Sequence, residues 1–75
     1  MHADDRYPIV VAWSEEDHVW VADVPDLAHC TANGDTPEEA VREAVIARGL
    51  WLRAAREDGI ALPEPSVPTV LAQTG

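Results

Sequence analysis

Thr31-Ala32-Asn33-Gly34-Asp35-Thr36-Pro37-Glu38-Glu39-Ala40 marks the passage from extended chain to helix, and the rest of the fold follows from it. Asn33-Gly34 supplies residues that tolerate positive φ and so suits a turn. Thr36 offers a hydroxyl acceptor at N-cap, Pro37 fits N1, and Glu39 at N3 can reach back to the N-cap amide, which together make a capping box. A helix should therefore start at Thr36. Downstream to about Asp58 the chain is rich in alanine, leucine, arginine and glutamate. Glu38, Glu39 and Glu43 come early and Arg48, Arg53 and Arg56 late, the order that opposes the helix dipole. Gly59 is placed to be C′, with Ile60 as the apolar C″ residue of a Schellman cap.

On a 3.6-residue wheel Ala40, Val41, Ala44, Val45, Trp51, Leu52 and Ala55 share one face, which should pack on a sheet, and Arg48 falls in its middle. Ile46 and Leu50 point the opposite way, toward water or toward another chain. Gly49 weakens the helix centre by up to about 1 kcal/mol relative to alanine.

Upstream, residues 7–13 (Tyr-Pro-Ile-Val-Val-Ala-Trp) and 18–24 (His-Val-Trp-Val-Ala-Asp-Val) are rich in β-branched and aromatic residues. The polar Ser14-Glu15-Glu16-Asp17 between them should close an antiparallel hairpin. Pro25-Asp26 ends the second strand, and residues 27–32 should return as a short third one. Beyond the helix, Leu62-Pro63-Glu64-Pro65-Ser66 reads as an extended connector, and residues 67–72 as a last short edge strand containing Pro68. The expected fold class is α+β: an antiparallel three-stranded meander, one long helix and a short C-terminal strand, in the order β-β-β-α-β.

Both faces of this sheet are apolar. In the first strand Tyr7, Ile9, Val11 and Trp13 alternate with Val10 and Ala12; in the second, Val19 and Val21 alternate with Trp20, Ala22 and Val24. One helix covers one face, so the other requires a second molecule or the folded-back C-terminal segment.

Composition narrows the role. The chain has 75 residues and a formal charge of −9. Eight acids against one base place −7 in the first 36 residues, and six against four leave −2 in the remainder. Such a surface repels phosphates and disfavours direct nucleic-acid binding, while it favours a basic protein partner. A chain this short buries a thin core, so a homo-oligomer, dimer or tetramer, is expected. The lone Cys30 excludes an internal disulfide, reads as a core residue and fits a reducing cytoplasm. With no leader-like start and no apolar run of membrane-spanning length, a cytoplasmic protein without membrane attachment is expected.

Catalysis is not expected. Two-metal nuclease chemistry needs several carboxylates converging on one site, and residues 7–13 of the first strand hold none. His2, His18 and His29 are too scattered for a zinc motif, so no metal and no cofactor is anticipated. A divergent nuclease would instead have to use Asp23, Asp26 and Asp35, which sit at strand ends and turns. Trp13, Trp20, Asp23, Pro25 and Asp26, where exposed apolar area adjoins acidic charge, are the candidate partner-facing residues. Ile46 and Leu50 are the candidates for an oligomer interface, and Asn33, Gly34, Thr36, Pro37, Glu39 and Gly59 carry structural motifs.

Four stretches in this order resemble the HicB-like antitoxin family: residues 7–11, Val21-Ala22-Asp23-Val24-Pro25-Asp26-Leu27, residues 31–40 and Leu62-Pro63-Glu64-Pro65-Ser66. The resemblance implies a single HicB-like domain over residues 1–75, with a core of about residues 6–72 and a partial RNase H-like fold. It also implies an antitoxin that binds and sterically neutralises a HicA-type toxin, a small basic RNA-cleaving protein of double-stranded-RNA-binding fold with a catalytic histidine. Many members of that family add a C-terminal DNA-binding module, which is not expected in these 75 residues. Arg48 and Gly49 depart from the helix formers common at those family positions. The alternative is a stand-alone homo-oligomeric regulatory module of the same fold without a toxin.

Overall fold

The computed structural model describes residues 6–66. Strand β1 (Val10–Ser14), strand β2 (Val19–Asp23) and strand β3 (Thr31–Gly34) form an antiparallel sheet in the order β1-β2-β3, followed by helix α1 (Pro37–Glu57). The expected α+β meander and helix are present; the anticipated C-terminal strand at 67–72 lies outside the described residues.

The register pairs Val11 with Ala22, Trp13 with Trp20, Ala22 with Ala32 and Trp20 with Gly34, so these residues share the face beneath the helix. There Ala22 packs with Ala40 and Ala44 of α1, with Ile9, Val11, Trp20 and Ala32 around them. Alanine at these contacts lets helix and sheet backbones approach closely. A second cluster of Tyr7, Val24, Leu27, Cys30 and Leu52 fills the other end. The helix lies mainly over β3 and β2, and least over β1.

The capping chemistry at the helix ends holds with one shift. Thr36 Oγ1 accepts from Glu39 N at 3.1 Å, but Glu39 Oε1 accepts from Asp35 N at 2.8 Å, one residue before the N-cap. At the C-terminus Ile60 N donates to Ala55 O and Gly59 N to Arg56 O, with Gly59 at φ 71°. This is the complete Schellman pattern.

Strand boundaries differ from the expected ones. Strand β1 starts at Val10, because Pro8 has no donor to give and Tyr7 is drawn into the core, 5% exposed. Residues 27–30 do not form a strand. They make a turn in which Leu27 N donates to Val24 O, Cys30 N to Leu27 O and Val24 N to Cys30 O, with His29 at φ 61°. Asn33 and Gly34 consequently belong to β3 and not to a turn. Gly34 is needed for space, not for positive φ: a Cβ there would lie 2.7 Å from Ala40 N. On the helix, Val45 leaves the expected buried face and is 42% exposed, because the helix axis is displaced from β1.

Candidate interaction surfaces

Alternation along the strands sends Val10, Ala12, Val19, Val21 and Asp23 to the face away from α1, beside Thr31 and Asn33 of β3. Val10 is 55% exposed, Ala12 is exposed, and Val19 and Val21 are half-buried. Among the described residues no element covers this face. Apolar side chains gather on β1 and β2, while Asp23 and the exposed Glu15, Glu16 and Asp17 of the hairpin turn place negative charge around them.

The five candidate partner-facing residues do not form one patch. Trp13 and Trp20 lie on the helix side of the hairpin, edge-to-face with centroids 5.6 Å apart, and His18 meets Trp13 at 6.2 Å. Trp13 is 42% exposed because α1 barely reaches β1, and its indole N–H donates to Glu15 Oε2 at 2.8 Å. Trp20 is half-buried under the helix. Asp23 is on the outer face, three residues away along the strand. Pro25 is exposed in the turn after β2, whereas both Asp26 carboxylate oxygens accept from Ser66, Oδ2 from its amide at 2.7 Å and Oδ1 from its hydroxyl at 2.5 Å.

The Ser66 hydroxyl and amide together hold the Asp26 carboxyl below its ordinary value. A carboxylate favoured in the folded state stabilises above its unfolded pKa, and that contribution disappears as pH falls through the folded value. Docking of the connector on Asp26 should therefore be constant near neutrality and fail only below about pH 3.8. Amide hydrogen exchange at Ser66 should stay slow at pH 5 and accelerate in Asp26→Ala. Equal rates in both proteins would show that this tie does not hold the connector.

Sequence reasoning missed a second fastening. The Tyr7 hydroxyl donates to Pro63 O at 2.6 Å, and the Tyr7 carbonyl accepts from Arg48 Nη1 at 2.7 Å. Arg48 is 7% exposed, so its position in the apolar helix face, visible in the wheel, reflects a backbone partner at the start of the domain. Trp51 similarly spans to the β2–β3 turn, donating to Ala28 O at 3.0 Å. Cys30 sits in the core as expected; burial raises its thiol pKa, nearby Asp23 adds to the rise and Arg48 opposes it. Among the described residues no three His, Cys, Asp or Glu side chains gather to hold a metal ion, and no helix is long and apolar enough to cross a membrane.

Among the described residues, then, this small α+β domain leaves one apolar sheet face uncovered and rimmed by acids. The chain belongs to the HicB_like antitoxin family of bacterial toxin-antitoxin systems, matching it over residues 7–74. A relative, UPF0150 protein ssl0259 of Synechocystis sp. (strain ATCC 27184 / PCC 6803 / Kazusa), is 40% identical over 58 residues, covering 77% of this chain and 78% of that protein. No solved structure matches the chain.

Proposed function

We propose that this chain neutralises a small basic RNA-cleaving toxin of the HicA type by covering it sterically, in the cytoplasm and without a cofactor. The observation that carries this reading is the outer sheet face, Val10, Ala12, Val19 and Val21, which no element covers among the described residues and which is bordered by Asp23 and the acidic hairpin turn. Apolar area supplies affinity, and the surrounding negative charge speeds encounter with a basic target and competes with its RNA. Asp23 and Pro25 lie within or next to this contact, and Trp13 and Trp20 stiffen the hairpin behind it. Asp26 serves the connector instead.

The test is co-expression with a HicA-type toxin, sought first among small basic proteins encoded beside this chain, followed by co-purification and an RNA-cleavage assay. Cleavage should be suppressed by the wild type. Val21→Asp should weaken capture at least about tenfold, since it places an unpaired carboxylate in an apolar contact. Val10→Asp, at a more exposed position, should act in the same direction without disturbing the fold. No captured basic neighbour, or full neutralisation by both variants, would refute the reading.

A further inference from the structure

The outward side of α1 carries a stripe that is complementary to itself. Glu43, Ile46, Leu50 and Arg53 are all exposed, Ile46 at 52% and Leu50 at 57%. Their spacing of three, four and three residues sets them along one line of the helix surface. Read backwards the spacing is the same, so two antiparallel copies place 43 opposite 53 and 46 opposite 50. The residue order acid, aliphatic, aliphatic, base then pairs opposite charges at both ends and leucine with isoleucine at the centre. Parallel copies would put Glu43 on Glu43 and Arg53 on Arg53.

We propose that this face of α1 binds the same face of a second copy of the chain, antiparallel about a two-fold axis between Ile46 and Leu50. Each contact then occurs twice, as an isologous interface requires. Gly49 lies beside the stripe with nothing within 4 Å of where a Cβ would stand. That opening lets the second backbone come close and gives a mid-helix glycine a purpose.

Charge selects the second copy as the occupant. Of the five basic side chains, three, Arg42, Arg53 and Arg56, are exposed on α1 among the exposed Glu38, Glu43 and Glu57, while the chain as a whole carries −9. Two copies repel through most of their surfaces and attract where arginine and glutamate alternate. A basic partner is drawn to the acidic sheet face, whereas the outward side of α1, where Arg42, Arg53 and Arg56 are balanced by Glu38, Glu43 and Glu57, exerts no such pull. The two contacts therefore use opposite sides of the domain, and self-association goes beyond the antitoxin reading and survives its failure.

Sedimentation of wild type, Glu43→Arg and Arg53→Glu decides the matter. In one helix these residues are ten positions apart, about 15 Å, too far to pair within a chain, so any compensation between them must be intermolecular. The wild type should dimerise in the micromolar range. Each charge reversal sets like charges together twice and should weaken self-association about tenfold or more. An equimolar mixture of the two variants should recover it, because the arginine introduced at position 43 of one chain then faces the glutamate introduced at position 53 of the other. Ile46→Asp should be monomeric, and circular dichroism should match the wild type throughout. A monomeric wild type, reversals that dimerise as before, or a mixture that stays monomeric would each overturn the proposal.

Discussion

Leu52→Ala should lower the stability of this protein by on the order of 3–5 kcal/mol. A two-state domain of this length has only about 4–11 kcal/mol to lose. Leu52 is fully buried in the cluster with Tyr7, Val24, Leu27 and Cys30. With Arg48 and Trp51, it ties the second half of α1 to the segment before β1 and to the turn after β2. Four of the nine buried apolar residues in the described structure are alanines, so few large side chains share the burden and little can collapse into the space left behind. Urea denaturation followed by circular dichroism, at a concentration low enough to keep the chain monomeric, should show the midpoint falling sharply, with Leu50→Ala, two residues away but 57% exposed, close to wild type. Equal midpoints for the two variants would mean that α1 does not seat on this cluster.

Gly34→Ala is expected to be the next most damaging change, costing about 1–3 kcal/mol or more as an overpacked site. The added methyl would stand 2.7 Å from Ala40 N and 3.0 Å from the Glu39 carbonyl carbon. Both are backbone atoms in the first turn of a capped helix, which cannot yield as a side-chain end would. Gly49→Ala provides the opposite sign: its Cβ meets open space within a helix, so it should stabilise the monomer by about 0.5–1 kcal/mol. Thermal melts of the two variants should move in opposite directions. A Gly34→Ala protein as stable as wild type would show that helix and sheet are not packed this closely.

This close approach shapes the functional surface. With Ala22, Ala32, Ala40 and Ala44 between them, α1 and the β2–β3 half of the sheet form a thin, tight layer. The helix is spent on that half and leaves β1 thinly covered, with an apolar groove lined by Val11, Pro37, Glu38 and Val41. Among the described residues no second helix stands on the far side, where Val10 is 55% exposed and Val21 half-buried.

Most of the local architecture is legible in residues close together in the chain. The hairpin, the N-cap at Thr36 with Pro37 behind it, the Schellman end at Gly59 and the outward position of Ile46 and Leu50 all appear where the pattern places them. The third strand is misplaced by composition alone, because residues 27–32 have strand-like content. The turn built on Leu27 and Cys30 is stabilised by burying both under Leu52, a partner more than twenty residues away in sequence. Gathering the partner-facing candidates into one patch fails for a simpler reason: odd and even positions of a strand face opposite sides, so Trp20 and Asp23 diverge.

Amino-acid order by itself determined the helix, its two ends, the hairpin and a surplus of apolar β-surface, because each depends on contacts within a few residues or on periodicity alone. Only the tertiary structure decided that Asp26 holds Ser66, 40 residues on, that Arg48 serves the carbonyl of Tyr7 across 41, and that Tyr7 reaches Pro63 across 56. No local pattern encodes such pairings. They arise once the chain closes, when the burial of Tyr7 and Leu52 brings distant polar groups within hydrogen-bonding reach.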